Sequence, residues 1–241
     1  MERLYGDYLP KMKEAGILND IVVTQSNLKD AVQIQQMRQL VDQGVDGLVV
    51  CCSNPVALNP TIEYAYNKGV PTASMTGFLT SEYAISTSVN YALTGYYIAS
   101  WLAETIGGEG NVIIMEGIPG ASASDSQHAG MLKGFAEYPD ITVVAEIAHM
   151  WTPQIAQAEL QKWLSANNTQ VDGFAVQSSG ESGALNALES SGRPMVPMAL
   201  GGEIGAFCYW RNNPDFIDRA IYTWPPGDDA EFAMNVLLRT M

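Results

Sequence analysis

Short apolar runs alternate along the chain with longer stretches of helical period, and the change between them falls at Gly or Pro. Residues 2–15 read as a helix closed by Gly16, and Asp20-Ile21-Val22-Val23-Thr24-Gln25 as a short β-branched strand. Over 29–43, Val32, Ile34, Met37, Leu40 and Val41 fall mostly on one helical face, with Gly44 where a left-handed cap belongs. The run 45–52 is apolar apart from Asp46 and Gly47, as expected of a strand buried on both faces. Pro60 opens the next helix, Gly69 closes it, and 71–75 is another strand.

The alternation then repeats. Helical stretches at about 91–106, 123–137, 153–166, 180–191 and 204–211, and a last one from about 228, interleave with strands at 111–115, 141–149, 172–177, 195–200 and 219–223. This βαβα order predicts parallel sheets covered by helices on both faces. So many strands exceed one small open sheet, and two similar lobes are expected. The polar segment 77–90, without a helical pattern, reads as the linker between the halves.

Composition narrows the possible functions. Charged residues make up 16% of the chain, against ~25% in an average domain, which excludes a coiled coil or a disordered acidic tail. Twelve basic residues against 26 acidic ones leave a net charge of −14. Binding a phosphate backbone needs a Lys/Arg cluster, so no nucleic-acid partner is expected. No apolar run approaches the ~18 residues that span a bilayer, so membrane insertion is not expected either. The start, Met1-Glu2-Arg3-Leu4-Tyr5, lacks the basic-then-hydrophobic order of a signal peptide. Cys51, Cys52 and Cys208 make no metal-binding spacing and read as small buried hydrophobes.

Ligands of parallel open sheets bind beyond the carboxyl ends of the strands. That fixes the loops that matter as 53–55, 76–78, 116–122, 150–152, 178–181, 201–203 and 224–226. They are rich in Asn, Gln, Ser, Thr and Trp and poor in charge. Amide and carboxyl groups bind hydroxyls at two points, and an indole face covers the C–H side of a sugar ring. A small anion would require Arg or Lys. The loops therefore suit a neutral, polyhydroxylated ligand, with Asn54, Thr76, Phe78, Asn90 and Glu203 as candidates. Trp151 and Trp224, at strand ends, are expected to line the site, and Trp101 and Trp163, on helical apolar faces, to join the core.

Signs of catalysis are few. His128 and His149 are the only histidines, a poor basis for a Ser-His-Asp or His-metal centre. His149 lies in a strand and reads as structural, while His128 opens a helix near the candidate site. Gly117-Ile118-Pro119-Gly120-Ala121-Ser122 follows a strand as a phosphate-cradling turn does, but lacks both G-x-G-x-x-G and a Walker lysine. Asp228-Asp229 sit at a helix start, where the helix dipole accounts for them. No catalytic residue, metal or cofactor is expected.

Several segments, in order, match one family. They are Gln36…Leu40-Val41-Asp42-Gln43-Gly44-Val45-Asp46-Gly47-Leu48-Val49-Val50, then Asn59-Pro60…Ala65-Tyr66-Asn67-Lys68-Gly69-Val70-Pro71, Gly108-Glu109-Gly110-Asn111-Val112 and Glu137-Tyr138-Pro139-Asp140-Ile141-Thr142-Val143-Val144. Val171-Asp172-Gly173-Phe174, Gly183-Ala184-Leu185-Asn186-Ala187-Leu188 and Gly192-Arg193-Pro194 complete the set. The chain resembles the ribose-binding-like periplasmic sugar-binding proteins of ABC transporters. The resemblance implies the periplasmic binding protein type 1 fold, with two Rossmann-like lobes joined by a three-stranded hinge and a sugar held between them. The division implied is 1–88 plus 225–241 for the first lobe and 89–224 for the second. It also implies a periplasmic monomer that delivers a sugar or polyol to an ABC transporter permease.

The family's binding positions fall here on altered residues. An Asp-Arg pair becomes Thr76-Gly77, a sugar-binding Arg becomes Gln127, and an Asn-Asp pair becomes Gln177-Ser178. The family Asp after 195–200 becomes Gly201, with Glu203 nearby. A hinge-proximal Gln falls near Thr223 or Trp224, and an aromatic position coincides with Trp151. Neutral residues thus replace most of the charged set. The same fold serves LacI-type effector domains and sensor ectodomains, and a carbohydrate-acting α/β enzyme is a further alternative. Family members also have a strand before the helix read at 2–15, placed between the strands matching 20–25 and 46–52. The expectation is that the natural protein has further residues at both ends. The alternative is that 20–25 and 46–52 pair directly.

Overall fold

The alternation becomes two separate sheets in the computed structural model, which describes residues 4–51, 54–216, 218–220 and 226–241. The chain divides into two units, Met1–Val89 with Trp224–Met241, and Asn90–Thr223.

In the first unit a π-helical turn, Leu4–Tyr8, leads into α1 (Leu9–Glu14), followed by α2 (Asp30–Asp42), β1 (Leu48–Val50), α3 (Asn59–Asn67), β2 (Thr72–Ser74) and β3 (Ala84–Ser86). The sheet order is β1-β2-β3, all parallel, with Leu48 opposite Thr72 and Thr72 opposite Ala84. Met37 and Val41 of α2 and Leu58, Ile62 and Ala65 around α3 pack on Leu48 and Val50.

Two expectations fail here. Residues 20–26 form no strand and no ladder with β1, and Val22 is 60% exposed. β-branched residues make a strand only where a neighbouring edge takes their hydrogen bonds. Instead Tyr5 Oη donates to the Ile21 carbonyl and Gln36 Nε2 to that of Gln25, and Asn27 and Leu28 turn the chain at φ +50° and +60°. The proposed linker 77–90 contains β3. The buried Ser74 and Thr87 hydrogen-bond each other across β2 and the end of β3, so local polarity concealed a sheet position.

The second unit runs α4 (Tyr91–Thr105), β4 (Glu109–Glu116), α5 (Ser122–Phe135), β5 (Asp140–Ala148), α6 (Pro153–Ala166), β6 (Gly173–Val176), α7 (Glu181–Ser191), β7 (Met198–Leu200), α8 (Ile204–Asn212) and β8 (Asp218–Ala220). Its sheet is parallel throughout, in the order β5-β4-β6-β7-β8. Alternation splits the buried strands between two cores. Ile113, Met115, Phe174, Val176, Met198 and Leu200 face Leu160 of α6 and Leu185 and Leu188 of α7. Val112, Ile114, Ala175 and Ala199 face Ile98 and Leu102 of α4 and Met131 and Phe135 of α5. On that second face α4 and α5 approach closely at Gly95 and Gly130. A Cβ on either would overlap a backbone carbonyl of the other helix, Gln127 or Ala92. Trp101 and Trp163 pack against these cores as expected.

The last helix, α9 (Pro226–Leu238), returns to the first unit, where Leu237 packs at Gly47 and Asn235 accepts from Tyr8 Oη at 2.9 Å. Among the described residues no helix is long and apolar enough to cross a membrane. Cys51 and Cys208 are exposed, not buried as expected, and Cys52 lies outside the described residues. Cys51 lies just past β1, and Cys208 lies on α8, where Ala206 takes the buried position.

Candidate functional site

At the carboxyl edge of the five-stranded sheet, the ends of two strands and the start of a helix share one hydrogen-bond network. Gln177, just past β6, is fully buried. Its Oε1 accepts from the Gly117 N–H at 2.9 Å and from Ser124 Oγ at 3.1 Å, and its Nε2 donates to the Ser124 carbonyl at 3.0 Å. It thereby ties the ends of β4 and β6 to the first turn of α5. The Trp151 indole lies over Gly117, where a Cβ would overlap Nε1. Gln127, on the same helix as Ser124, is buried, and its Nε2 has no hydrogen-bond partner. Trp151 and Gln177 thus meet around the Gly117 turn, and Gln127 lies about one helical turn beyond Ser124 on α5.

The loops here hold backbone in the left-handed region that side chains other than glycine seldom adopt. Met150 and Trp151 have φ +55° and +50°, and Ser179 φ +69°. Such strain persists only where surrounding structure enforces it, and it gathers at ligand sites. In the first unit Thr76, just past β2, has φ +67°. Its Oγ1 donates to Asp229 at 2.6 Å, and Asp229 is buried in the first turn of α9. Asp229 was read only as a partner of the helix dipole, and its hold on Thr76 needed the return of α9 to be seen.

Next to the Gly117 turn lies a second group, at the ends of β5, β6 and β7. Glu203 accepts from the Ser182 N–H at 2.9 Å and Ser182 Oγ at 2.6 Å, and the Glu203 N–H donates to Glu181 Oε1 at 3.2 Å. Glu181 is fully buried. Burial first, and then the charge of Glu203, push its carboxyl up to about 7. His149 is also fully buried, with no partner on either ring nitrogen. Burial lowers it to about 4, so it is neutral at pH 7.

The remaining candidates are placed differently. Asn54 Oδ1 accepts from the backbone N–H groups of Val56 and Ala57, a turn ahead of α3. Asn90 Oδ1 caps α4 through the Leu93 N–H at 3.0 Å. Phe78 is 43% exposed on the loop after β2, and Trp224 lies outside the described residues. His128 is engaged on both nitrogens, by Glu116 at 2.8 Å and Glu146 at 3.3 Å, which joins α5 to β4 and β5. Among the described residues no group of three or more His, Cys, Asp or Glu could hold a metal.

A parallel sheet wrapped on both faces, with neutral polar and aromatic groups meeting at its carboxyl edge, defines a small-molecule-binding α/β protein. Residues 11–240 match the periplasmic binding protein domain, and the chain belongs to that family. Its fold is the periplasmic binding protein type 1 fold. The chain is 30% identical over 181 residues to the xylitol-binding protein of Mycolicibacterium smegmatis, covering 74% of this chain and 52% of that one. It is 24% identical over 199 residues to the D-xylose-binding periplasmic protein of Escherichia coli, covering 80% and 60%. The ABC transporter solute-binding protein of Thermobispora bispora superposes with a TM-score of 0.86 at 24% identity, covering 98% of this chain and 73% of that one. The chain thus spans between half and three fifths of the two curated relatives' lengths.

Proposed function

We propose that this chain is the solute-binding part of an ABC transporter component that captures a neutral sugar or polyol. The observation that carries this reading is the Gly117 turn, where the Gln177 amide and the Trp151 indole converge without a cation. No Lys or Arg occurs between Lys162 and Arg193, or between Arg193 and Arg211, the stretches that supply the β6 and β7 loops. An anionic ligand would go unpaired at such an edge, whereas hydroxyls find acceptors and donors there. The xylitol-binding and D-xylose-binding relatives support a ligand of this class. In the proposed mechanism ligand binding shifts the protein toward a form that a permease recognises. The protein works outside the cytoplasmic membrane, in the periplasm, as a monomer without catalysis of its own.

A thermal-shift screen with xylitol, D-xylose, other pentoses, hexoses and their sugar acids tests the reading. A ligand at a hundred times its Kd should add about 2.7 kcal/mol of stability. Neutral polyols or sugars should shift Tm and the sugar acids should not. A shift confined to the acids would sink the proposal.

A further inference from the structure

The structure assigns Glu181 as a positioning residue of the ligand edge: its carboxyl ties the 178–182 segment to the 201–203 loop through the Glu203 N–H, and ionising it sets a second negative charge beside Glu203, which loosens that contact and weakens ligand binding. This deepens the proposed function and rests on it. Glu181 is fully buried, Oε1 accepts the Glu203 N–H, and Oε2 has no hydrogen-bond partner. Glu203, on the facing loop, already has its oxygens on Ser182 N and Oγ. Two carboxyls on touching loops without a cation cannot both ionise cheaply.

The groups packed around Glu181 offer no relief. His149 packs across Gly180, where a Cβ would stand 2.7 Å from its ring, and it is neutral. The first turn of α6, residues 153–157, meets Gly183 and brings no titratable side chain, nor do Ile204 to Ala206 of α8. On the β4 side, Glu116 is engaged by His128. The facing loops also abut directly, since a Cβ on Gly201 would fall 2.9 Å from the Ser178 side chain. A second negative charge at this seam therefore acts on both loops at once.

The folded chain keeps the Glu181 proton up to about pH 7, whereas a solvated carboxyl releases it near 4.5. Between those values the folded state binds more protons, so stability falls as pH rises, and above the window the loss is complete. Wild type and the Glu181→Gln and Glu181→Ala variants, unfolded thermally without ligand from pH 4.5 to 8, test this first. Wild-type Tm should fall by about 3–8 °C relative to Glu181→Gln across that range. Parallel curves would overturn the proton's role whatever the sugars do. Titration of xylitol and D-xylose at pH 5.5 and 8.5 tests the coupling. Wild-type affinity should drop about tenfold or more at the higher pH. Glu181→Gln should bind independently of pH, and Glu181→Ala more weakly at both. A Tm difference joined to pH-independent wild-type affinity would overturn the coupling. If neither sugar binds at either pH, the functional reading fails, while the ligand-free curves still decide where the proton sits.

Discussion

The two units solve the same packing problem with unequal means. In the second, β4 and β5 are eight and nine residues long, and five strands separate two cores built on opposite faces. In the first, three strands of three residues carry the sheet, and β1 pairs only with β2 among the described residues. Segment 17–28 beside it leaves Ile17, Val22 and Leu28 more than half exposed. In the second unit two apolar layers anchor the strands that carry its buried polar groups and left-handed loops. The first unit holds comparable groups on a single apolar cluster and adds individual polar ties, Thr76 to Asp229 and Tyr8 to Asn235, between the sheet or the amino-terminal turn and α9. Breadth of sheet thus sets how many apolar layers support an edge, while among the described residues each unit carries three non-glycine positions at positive φ.

The strongest test of this contrast empties the core of the broader unit. Phe174 is fully buried on the central strand β6. Phe174→Ala is predicted to destabilise that unit by about 3–5 kcal/mol. Denaturant unfolding followed by amide exchange should show the loss in β4–β7 and leave β1–β3 protection unchanged. A uniform loss over both units would break the comparison. Ile62→Ala is the mirror test in the first unit, with an expected loss of about 2–5 kcal/mol confined to β1–β3.

Gly130→Ala comes next. Its methyl would overlap the Ala92 carbonyl, so α4 and α5 must separate, with an expected loss of about 1–3 kcal/mol. A thermal melt of this variant within a degree of wild type would show that the close crossing is dispensable.

Gln177→Ala acts at the edge itself. It leaves the buried Gly117 N–H without its acceptor, which costs about 1–3 kcal/mol. If the Gly117 turn is the ligand wall, sugar affinity measured by calorimetry should fall with it. Trp151→Ala should weaken binding by ~1 kcal/mol or more through loss of its stacking face. His128→Ala should weaken binding less than Trp151→Ala, and equal affinities for all three variants would remove the site from this edge. The smallest effect expected is that of Val22→Ser. An exposed side chain outside any ladder should change Tm by no more than the ~0.5 kcal/mol typical of surface substitutions. A larger loss would mean that segment 20–26 packs against something in solution.

Much of this was legible in the chain itself. Period, Gly and Pro punctuation, and apolar runs such as 111–115 and 172–177 determined nearly every helix and the whole of the larger sheet, because those signals are local. Scarce charge at strand ends determined the class of ligand worth testing. Where the outcome depended on partners distant in sequence, only the tertiary structure decided. Residues 20–25 have strand composition but no ladder, and 84–86 have loop composition but a ladder waiting on β2. Asn54 and Asn90, polar and well placed, turned out to cap backbone. Glu181 fell in the 178–181 loop with nothing to set it apart, and folding buried it beside Glu203 and a neutral His149. A sequence states which groups a residue carries, but hydrogen-bond partners and local dielectric are properties of what surrounds it. Those surroundings come from α6, β7 and α8 packing around one buried carboxyl.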